Sequence, residues 1–344
     1  VFDASNKEDE SLDHLEKNIS MISGVQICAA IANRLPNEQN QLLQAIARIN
    51  NSLLVKGRPP LLGVVPAIVN PEELPSHGLD QKRKTLPISR QFLMELSSVV
   101  ARCVDIDELL ANASKAPSVM LDGYDYKPVS RRCRIAVSMD NAFGLLFQDN
   151  LSYLRFYGAD IVPFSPLADV GLPKGVGGIY LTGGFLTEYS DDLMKNASMI
   201  RTIRAFQDEG GAIYAEGSSC AYLCKEFRNT DGRTFSAGLG IIPATAEKGD
   251  AELRYFRGSL MEESILGSGD LAIHGITNGD WAIKNPERMI RCLRMTREGV
   301  GTMLEGFSPS GQVFGTFSFL HWGTNPLVAK NMVEASSVIQ FRYS

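Results

Sequence analysis

The chain contains two stretches in which short apolar runs alternate with amphipathic segments, the pattern of strands and helices in an α/β fold. In the first stretch, apolar runs at Val1–Ala4, Val25–Ala32 and Leu61–Val65 accompany a helical segment at Gln39–Asn50. The near-continuous apolar character of these runs predicts parallel strands that are covered on both faces. Because no strand or helix precedes the first run, the sequence predicts only part of a parallel-sheet domain.

A second alternation follows a segment rich in Pro, Gly, Ser and Tyr at Lys115–Arg132, which we interpret as a linker. Helices are expected at Asp149–Tyr157 and, as one long helix, at Asp191–Glu209. Strands are expected at Arg134–Met139, Asp160–Phe164, Gly178–Leu181 and Ala212–Glu216. After Arg228, short strand-like runs with turn signals at Asp231-Gly232 and Asn278-Gly279 predict an antiparallel extension. We therefore predict one domain at 1–115, a linker at 116–132 and a second domain at 133–344.

Composition and charge exclude some classes of partner. The 344 residues are 44% hydrophobic and 21% charged, with a net charge of −5 and no basic tract, which argues against nucleic acid or an anionic membrane as the main partner. The longest apolar stretch, Leu61–Val69, is too short to span a bilayer and contains Pro66, so no transmembrane segment is expected. The six cysteines are scattered, which predicts free thiols in a reducing, soluble compartment such as the cytoplasm or an organelle matrix or stroma.

Cys220 and Cys224 have the spacing of one helical turn. No second pair of Cys or His follows at the spacing of a zinc site, so no metal site is predicted. We expect both cysteines to be small buried residues that pack a helix on the sheet.

Three motifs resemble a known family. They read R-I-A-V-S-M-D-N-A-F from Arg134, I-Y-L-T-G-G-F-L-T-E from Ile179 and Y-A-E-G-S-S-C-A-Y-L from Tyr214. They are similar to the glutaminase half of the cobyrinic acid a,c-diamide synthases, a class I glutamine amidotransferase domain. Ala32-Asn33-Arg34, Leu62–Pro66 and Leu74–Leu79 resemble the latter half of that family's ATPase domain. The resemblance implies a partial P-loop-NTPase-like (dethiobiotin-synthetase-like) parallel sheet followed by a three-layer α/β glutamine amidotransferase-like domain.

The resemblance implies that Mg-ATP phosphorylates carboxylates of the cobyrinate macrocycle and that ammonia from the glutaminase displaces the phosphate. The family's loop, G-x-x-x-x-G-K-[ST], holds the triphosphate, and this sequence contains no Gly-Lys-Ser or Gly-Lys-Thr. Asn33 stands where the resemblance places a contact to the nucleotide base, which cannot hold phosphates alone. No cofactor is therefore expected, with ATP and Mg needed only if a missing segment or a partner chain supplies the loop.

The sequence also lacks the family's nucleophile. Family members carry a cysteine at a sharp strand-to-helix turn, in the context Y-A-E-C-G-G, where this chain has Gly217. Cys220 falls three residues further on, about 4.5 Å along a helix axis, which is too far for attack on the same amide. Ser218 is closer, but an unactivated hydroxyl is a weak nucleophile. We expect neither residue to replace the thiolate.

Gly183 and Gly184 match a Gly-Gly turn that supplies a backbone amide to the family's oxyanion hole. A second interpretation, which we favour, is that glycine is needed there for positive φ and for close approach of the chain.

The family has two histidines in a Y-L-H-L-H-F run, one of which activates the cysteine, and this chain has Phe319 and His321 at their positions. Spacing alone leaves open which of the two matches the catalytic histidine. The resemblance implies that His321 and Glu216 are remnants of the catalytic site, and His321 is expected to be a packed, hydrogen-bonded residue. The family's R-G-H-E-F-H segment, linked with its acidic substrate, survives only as His274 and its neighbours. Corrinoid binding is therefore doubtful.

These losses suggest a catalytically inactive homologue that serves as a structural or regulatory subunit of a larger assembly. It would present its sheet and residues 228–285 to protein partners. The alternative is an active ATP-dependent amidoligase that uses free ammonia, with the phosphate loop on a missing segment or a partner. A third hypothesis is a sensor that binds a glutamine-like small molecule in the vacated pocket.

Overall fold

A computed structural model shows the architecture of the chain. It describes residues 1–4, 27–36, 38–55, 57–67, 90–116, 129–228, 235–249, 253–277, 279, 281–284, 290–297 and 301–340. By its internal contacts the chain divides into two compact units, residues 1–124 and 125–344. Several segments that the sequence singled out lie outside the described residues, namely Leu74–Leu79, most of the linker and the turn at Asp231-Gly232.

In the described residues of the first unit, three strands form a parallel sheet and three helices accompany it. The strands are β1 (Phe2–Asp3), β2 (Ala30–Leu35) and β3 (Leu61–Pro66), in the order β1-β2-β3, and the helices are α1 (Gln39–Val55), α2 (Arg90–Cys103) and α3 (Ile106–Ser114). Helix α1 packs on the sheet because Ala45, Ile49 and Leu53 recur every fourth residue and are buried. The predicted strand at Val25–Ala32 is wrong in its bounds, since residues 27–29 precede β2 and the strand continues to Leu35.

A ten-stranded sheet forms the centre of the second unit. The strands are β4 (Cys133–Ser138), β6 (Ala159–Phe164), β7 (Gly178–Leu181), β9 (Ala212–Glu216), β13 (Arg254–Leu260), β14 (Leu271–Thr277), β16 (Arg291–Arg297), β17 (Gly301–Phe307), β18 (Val313–Thr316) and β19 (Ser318–His321). Their order is β19-β14-β13-β16-β17-β18-β9-β7-β4-β6. Strands β18, β9, β7, β4 and β6 are parallel, and the other five join them as the predicted antiparallel extension. The predicted α/β class is confirmed.

Helices cover both faces of the parallel part. They are α4 (Gln148–Phe156), α5 (Leu186–Lys195), α6 (Ala197–Asp208), α7 (Ser218–Leu223) and α8 (Leu327–Gln340). Ile135 and Val137 of β4 join the core beneath α4 and α8, whereas Ala136 joins the core beneath α5 and α6. This division follows from the alternation of side chains along a strand. Three layers result, with the sheet in the middle.

The predicted single helix at Asp191–Glu209 is wrong, because α5 and α6 are separate helices that meet at Asn196. The Asn196 side chain accepts a hydrogen bond from the Met199 N–H (3.2 Å) and donates to the carbonyl oxygens of Pro166 (3.0 Å) and Asp169 (2.8 Å). These bonds cap α6 and tie the break to the preceding loop. The other predicted helix, Asp149–Tyr157, corresponds to α4.

The antiparallel half curls back on the parallel half. Only Phe317 separates β18 from β19, yet β18 pairs with β9 while β19 pairs with β14 at the far end of the sheet. The buried Glu305 holds this bend, since its carboxylate accepts hydrogen bonds from the Thr316 hydroxyl (2.7 Å) and the Phe317 N–H (2.5 Å). The curl brings β19 against the carboxyl end of β9.

Smaller sheets complete the second unit. Their strands are β5 (Phe143–Leu145), β8 (Gly183–Gly184), β10 (Cys224–Arg228), β11 (Phe235–Ala237), β12 (Ile242–Lys248) and β15 (Trp281–Ile283). A four-stranded sheet has the order β11-β10-β12-β15, and a two-stranded sheet pairs β5 with β8.

Candidate functional site

The expected sharp turn follows β9. The strand ends at Glu216, α7 begins at Ser218, and Gly217 between them has φ 61° and ψ −137°. Glycine adopts this conformation without the clash that a Cβ atom brings. The sharp strand-to-helix turn is therefore present at Gly217, the position at which the resemblance places the family's nucleophile.

The ring of Phe319 fills the space in front of Gly217. A Cβ atom built on Gly217 would lie 2.7 Å from Cζ and 3.1 Å from Cε2 of that ring, and 3.3 Å from Cα of Gly183. A Cβ atom on Gly183 would meet the same ring at still shorter range. Both glycines thus allow Phe319 to pack directly against the backbone. A side chain at position 217 has no room unless the ring moves.

Gly184, the other half of the Gly-Gly turn, is bonded to Ser218. Its N–H donates to Oγ of Ser218 (3.1 Å), and the Ser218 hydroxyl donates to the Gly184 carbonyl oxygen (2.9 Å). Gly184 also lies against Ala142, whose carbonyl oxygen a Cβ atom would strike. The expected need for a positive φ at Gly183 and Gly184 is wrong, since neither has one, and close approach of the chain is what requires glycine there. Of the two amides in the Gly-Gly turn, the Gly184 N–H is therefore occupied, and the Ser218 hydroxyl is bonded to main-chain atoms.

The nearby thiols face elsewhere. Cys220 points its sulfur at β18, where a Cβ atom on Gly315 would lie 2.9 Å from Sγ. Burial raises the pKa of the Cys220 thiol well above its usual range and that of Cys224 to about 12, so both are protonated at neutral pH. Within the described ranges no cluster of three or more His, Cys, Asp or Glu residues is placed to hold a metal ion.

Glu216 is fully buried and extensively hydrogen-bonded. The hydroxyls of Tyr180 (2.5 Å) and Tyr214 (2.9 Å) donate to its two carboxyl oxygens, and the Leu320 N–H of β19 donates as well. Burial raises the pKa of Glu216 to about 8, against the lowering effect of these three donors. The carboxyl group therefore ties β9 to β7 and β19 directly behind the turn.

His321 lies away from the turn. Its Nε2 is 3.1 Å from Oδ2 of Asp149, and its ring meets Phe147 edge-on with a centroid distance of 4.9 Å. The β19 residue against Gly217 is Phe319, two positions earlier. His274 lies opposite His321 across the β14–β19 pair, and burial, followed by the charges of Arg257 and His321, lowers the pKa of His274. The structure thus brings the two histidines together but places neither at Gly217.

Asn33 belongs to the first unit. It lies in β2 between Asp3 of β1 and Val65 of β3, and its side-chain oxygen accepts a hydrogen bond from the Arg34 N–H (3.0 Å). Arg34 has φ 66°, a left-handed conformation that is uncommon for a residue other than glycine. The Asn33 oxygen is thus engaged within β2, where the pairing with β3 shifts register between Asn33 and Leu35.

Three residues that contact Glu216 or His321 were not predicted from the sequence. Tyr180 and Tyr214 are both donors to Glu216, and Asp149 pairs with His321. The two tyrosines lie directly opposite each other on β7 and β9, a cross-strand register that no local pattern reveals. Asp149 is 172 positions from His321 in the chain, so only the fold brings them together.

Comparisons with known proteins show which proteins the chain is similar to. Residues 134–326 match the CobB/CobQ-like glutamine amidotransferase domain. The cobyrinate a,c-diamide synthase of Leptospira interrogans is 30% identical over 240 residues, which are 68% of this chain and 52% of that protein. The enzyme of the same name from Dehalococcoides mccartyi is 29% identical over 253 residues, 71% of this chain and 54% of that protein. The chain thus spans about half the length of these relatives.

Among solved structures, a glutamine amidotransferase matches with a TM-score of 0.41 and 15% identity over 59% of this chain and 98% of that one. Separately, none of the helices that the structure describes has the length and apolar character to cross a membrane.

Proposed function

Because the chain belongs to the cobyrinate a,c-diamide synthase family and carries its CobB/CobQ-like glutamine amidotransferase domain at 134–326, we propose that it is a member that does not hydrolyse glutamine. The observation that carries this proposal is the contact between Gly217 and Phe319. The side chain that attacks is absent at the turn, and an aromatic ring occupies the space that it would need.

The chemistry explains why both changes matter. Hydrolysis of the glutamine amide through a covalent intermediate needs a thiolate at near-attack distance and a base that removes its proton. Gly217 has no side chain, and the neighbouring position on β19 carries Phe319, which cannot accept a proton. The oxyanion also needs free backbone donors, and the Gly184 N–H is bonded to Ser218. The turn therefore lacks a nucleophilic side chain, the β19 side chain beside it cannot accept a proton, and one amide of the Gly-Gly turn is engaged by Ser218.

We further propose that the chain acts as a structural or regulatory subunit of a protein assembly. The three-layer core and the Glu216 network are complete around the altered turn, as expected for a domain used for its shape. The name of the relatives favours a second candidate, an amidoligase that takes free ammonia and obtains its phosphate loop elsewhere. Calorimetry with Mg-ATP on the complete protein, isolated from its native source together with its partners, separates the two, because an amidoligase that has obtained the loop is expected to bind Mg-ATP and an assembly without it is not.

The glutaminase proposal is tested by ammonia release from glutamine, with the Leptospira relative as the active control. The intact chain is expected to release no more ammonia than glutamine in buffer alone. Clear turnover by this chain would contradict the proposal.

The subunit role is tested by purifying the tagged chain from its native source. Recovery with the same partner proteins in fixed stoichiometry is the expected result. Recovery as a single chain, across a range of salt concentrations, would contradict that role.

A further inference from the structure

The amino ends of the parallel strands lie at the edge of the sheet opposite to the turn at Gly217. Strand β4 begins at Cys133 and β6 at Ala159, whereas Gly217 follows the carboxyl end of β9, a parallel neighbour of β7. Ligands of open α/β sheets bind outside the carboxyl ends of the strands. A binding surface at the amino edge would therefore be separate from the altered turn.

Two arginines share one carboxylate at this amino edge. Oδ2 of Asp160 lies 2.8 Å from Nη2 of Arg131 and 3.4 Å from Nε of Arg134. Nη1 of Arg134 donates to the Lys174 carbonyl oxygen, which joins the loop before β7 to the pair. Because one carboxylate serves two guanidinium groups, one positive charge remains uncompensated.

Arg132 and Lys174 add positive charge beside this pair. Both residues are exposed. Cγ of Arg132 lies 3.1 Å from the place of a Cβ atom built on Gly158, so the Arg132 stem passes over the residue before β6. Among the ion pairs that the described residues form with one another, none includes Arg132 or Lys174. Both groups are therefore open to an anionic partner.

The charges on the neighbouring helices leave this edge positive. The last turn of α4 carries the exposed Arg155, and the end of α6 carries Asp208 and Glu209. Helix α8 presents Lys330 and Glu334, whose charged groups are 3.7 Å apart and neutralise each other. Apart from that pair, five basic side chains stand against three carboxylates, so the edge has a net charge of +2.

A pocket of about 200 Å³ lies beside these charges. Its walls include residues of the loop before β7 and of α6, namely Leu172, Pro173, Val176, Ala205 and Phe206. Gly175 belongs to the same walls, and a Cβ atom on it would lie 3.8 Å from Nη1 of Arg134, so the pocket adjoins the arginines. Because an apolar cavity of about 150 Å³ can hold benzene, there is room here for one leucine or aromatic side chain. We call the pocket, together with the five basic side chains, the amino-edge surface.

We propose that the amino-edge surface binds a segment of a partner protein in which a leucine or aromatic side chain stands among carboxylates. The apolar side chain fills the pocket, and the carboxylates pair with Arg132 and Lys174. Glu209, which is also in the pocket wall, repels a carboxylate there and so favours an uncharged side chain at that point. The proposal rests on the role of the chain in an assembly, proposed above, and names the chemistry of the partner.

A protein segment fits this surface better than a polyanion or a second copy. Nucleic acids and anionic membranes carry a continuous array of negative charge, which the chain as a whole repels because its net charge is −5. Two copies that met through this surface would bring two positive clusters together. An acidic segment with one apolar anchor brings opposite charge and a side chain for the pocket at the same time.

The test uses the intact chain and a synthetic peptide of about ten residues, labelled for fluorescence anisotropy, with one phenylalanine between two pairs of glutamates. One control peptide has glutamine in place of every glutamate, and the other has alanine in place of the phenylalanine. We expect the first peptide to bind at least about tenfold more tightly than either control, with an affinity that falls as salt is added.

Two variants map the site, each with a matched control. Arg132→Glu should weaken binding of the first peptide at least about fivefold. Lys225→Glu changes the charge equally at an exposed residue of β10 and should leave the affinity within about twofold. Ala205→Trp places a large side chain at the pocket wall and should abolish the preference for phenylalanine over alanine. Ala197→Trp, at an exposed position in the first turn of the same helix, should keep that preference.

Several results would overturn the proposal. They are no binding of the first peptide, equal binding of either control peptide, and equal losses in a variant and its matched control. Binding of single-stranded RNA or of phosphatidylserine vesicles that is tighter than binding of the peptide, and is lost in Arg132→Glu, would overturn it in favour of those anions.

Recovery from the native source separates this proposal from the one on which it rests. The tagged chain should be recovered with its partners, and tagged Arg132→Glu should lose at least one of them. Unchanged recovery in that variant would overturn the amino-edge surface as a contact and leave the assembly role standing. Recovery of the unaltered chain alone would contradict the assembly role and, with it, this proposal, whereas ammonia release is measured independently of both.

Discussion

Glu216 and Gly217 are adjacent in the chain, but Glu216 lies in a polar hydrogen-bond network and Gly217 lies against an aromatic ring. Every oxygen of the Glu216 carboxyl group has a hydrogen-bond donor, supplied by Tyr180, Tyr214 and Leu320 from three different strands. Gly217 contributes no polar side chain and lies against the ring of Phe319. The comparison separates a polar network that holds the turn in place from a position of the turn that makes an apolar contact.

The difference has a physical cause. Removing one member of a buried polar network leaves unsatisfied groups, so the whole network must be kept or replaced together. A nucleophile and its base can instead be lost with little cost if the space is refilled. At this turn Gly217 leaves space because it has no side chain, and the ring of Phe319 fills that space.

The largest expected effect is a loss of stability with rising pH that is caused by Glu216. The pKa of Glu216 is about 8 in the folded chain and about 4.5 in the unfolded chain. Between pH 4.5 and pH 8 the folded state therefore holds a proton that the unfolded state has lost. Stability contributed by this proton is complete below about pH 4.5 and is lost as the pH rises to about 8. The free energy of unfolding should fall by on the order of 4 kcal/mol across this window.

Urea unfolding at steps from pH 5 to 8.5 measures this fall. Glu216→Gln keeps the shape without a titrating proton and should flatten most of the dependence, leaving the contribution of Glu305, whose pKa is also raised by burial. An identical pH dependence in the variant would show that Glu216 is not the group responsible.

The next largest effect is expected for a substitution of Gly217. Gly217→Cys places a Cβ atom at positive φ and 2.7 Å from the Phe319 ring, so we expect a loss of about 3 kcal/mol in the free energy of unfolding. Gly269→Cys is the matched control, since Gly269 has φ 75° and nothing within 4 Å of its Cβ position. That variant should lose only about 1 kcal/mol. Equal losses would mean that Phe319 does not restrict position 217.

A smaller loss is expected for the ring itself. Phe319→Ala removes the packing on Gly183 and Gly217, and because the side chain is only half-buried the cost should be about 2 kcal/mol. Combined with Gly217→Cys, it should cost less than the sum of the two single changes by about 1 kcal/mol or more. Strict additivity in this double-mutant cycle would contradict the coupling between the two positions.

The smallest effect is expected for the pair outside the turn. Asp149→Asn removes the charge partner of His321 at a place where the two side chains are 68% and 36% exposed. Exposed pairs contribute little, so the free energy of unfolding at pH 6 should change by about 0.5 kcal/mol. A loss several times larger, measured by urea unfolding, would place His321 within the essential network instead of beside it.

The sequence was sufficient for the parallel strands, because Ile135, Ile179 and Ile213 lie in short apolar runs that only a covered sheet accommodates. It also located the turn at Gly217, through the motif around Tyr214. The break at Asn196 could not be read in this way, since it depends on carbonyl groups of Pro166 and Asp169 in a distant loop.

Within the site, the sequence showed that Gly217 and Phe319 differ from the family's motifs, but it did not show that the two residues are in contact. Gly217 and Phe319 are separated by about a hundred residues, and their meeting depends on the curl that Glu305 and Phe317 hold. The network around Glu216 depends in the same way on the register of β7, β9 and β19. Long-range packing of this kind has no local signature in the chain.

The most direct measurement is mass spectrometry of the intact chain after incubation with an electrophilic analogue of glutamine that alkylates amidotransferase nucleophiles. The proposal that Gly217 and the packed Phe319 leave no nucleophile at the turn predicts an unchanged mass, while an active relative treated in parallel gains the label. A stoichiometric adduct on Ser218, Cys220 or any other residue of this domain would contradict it.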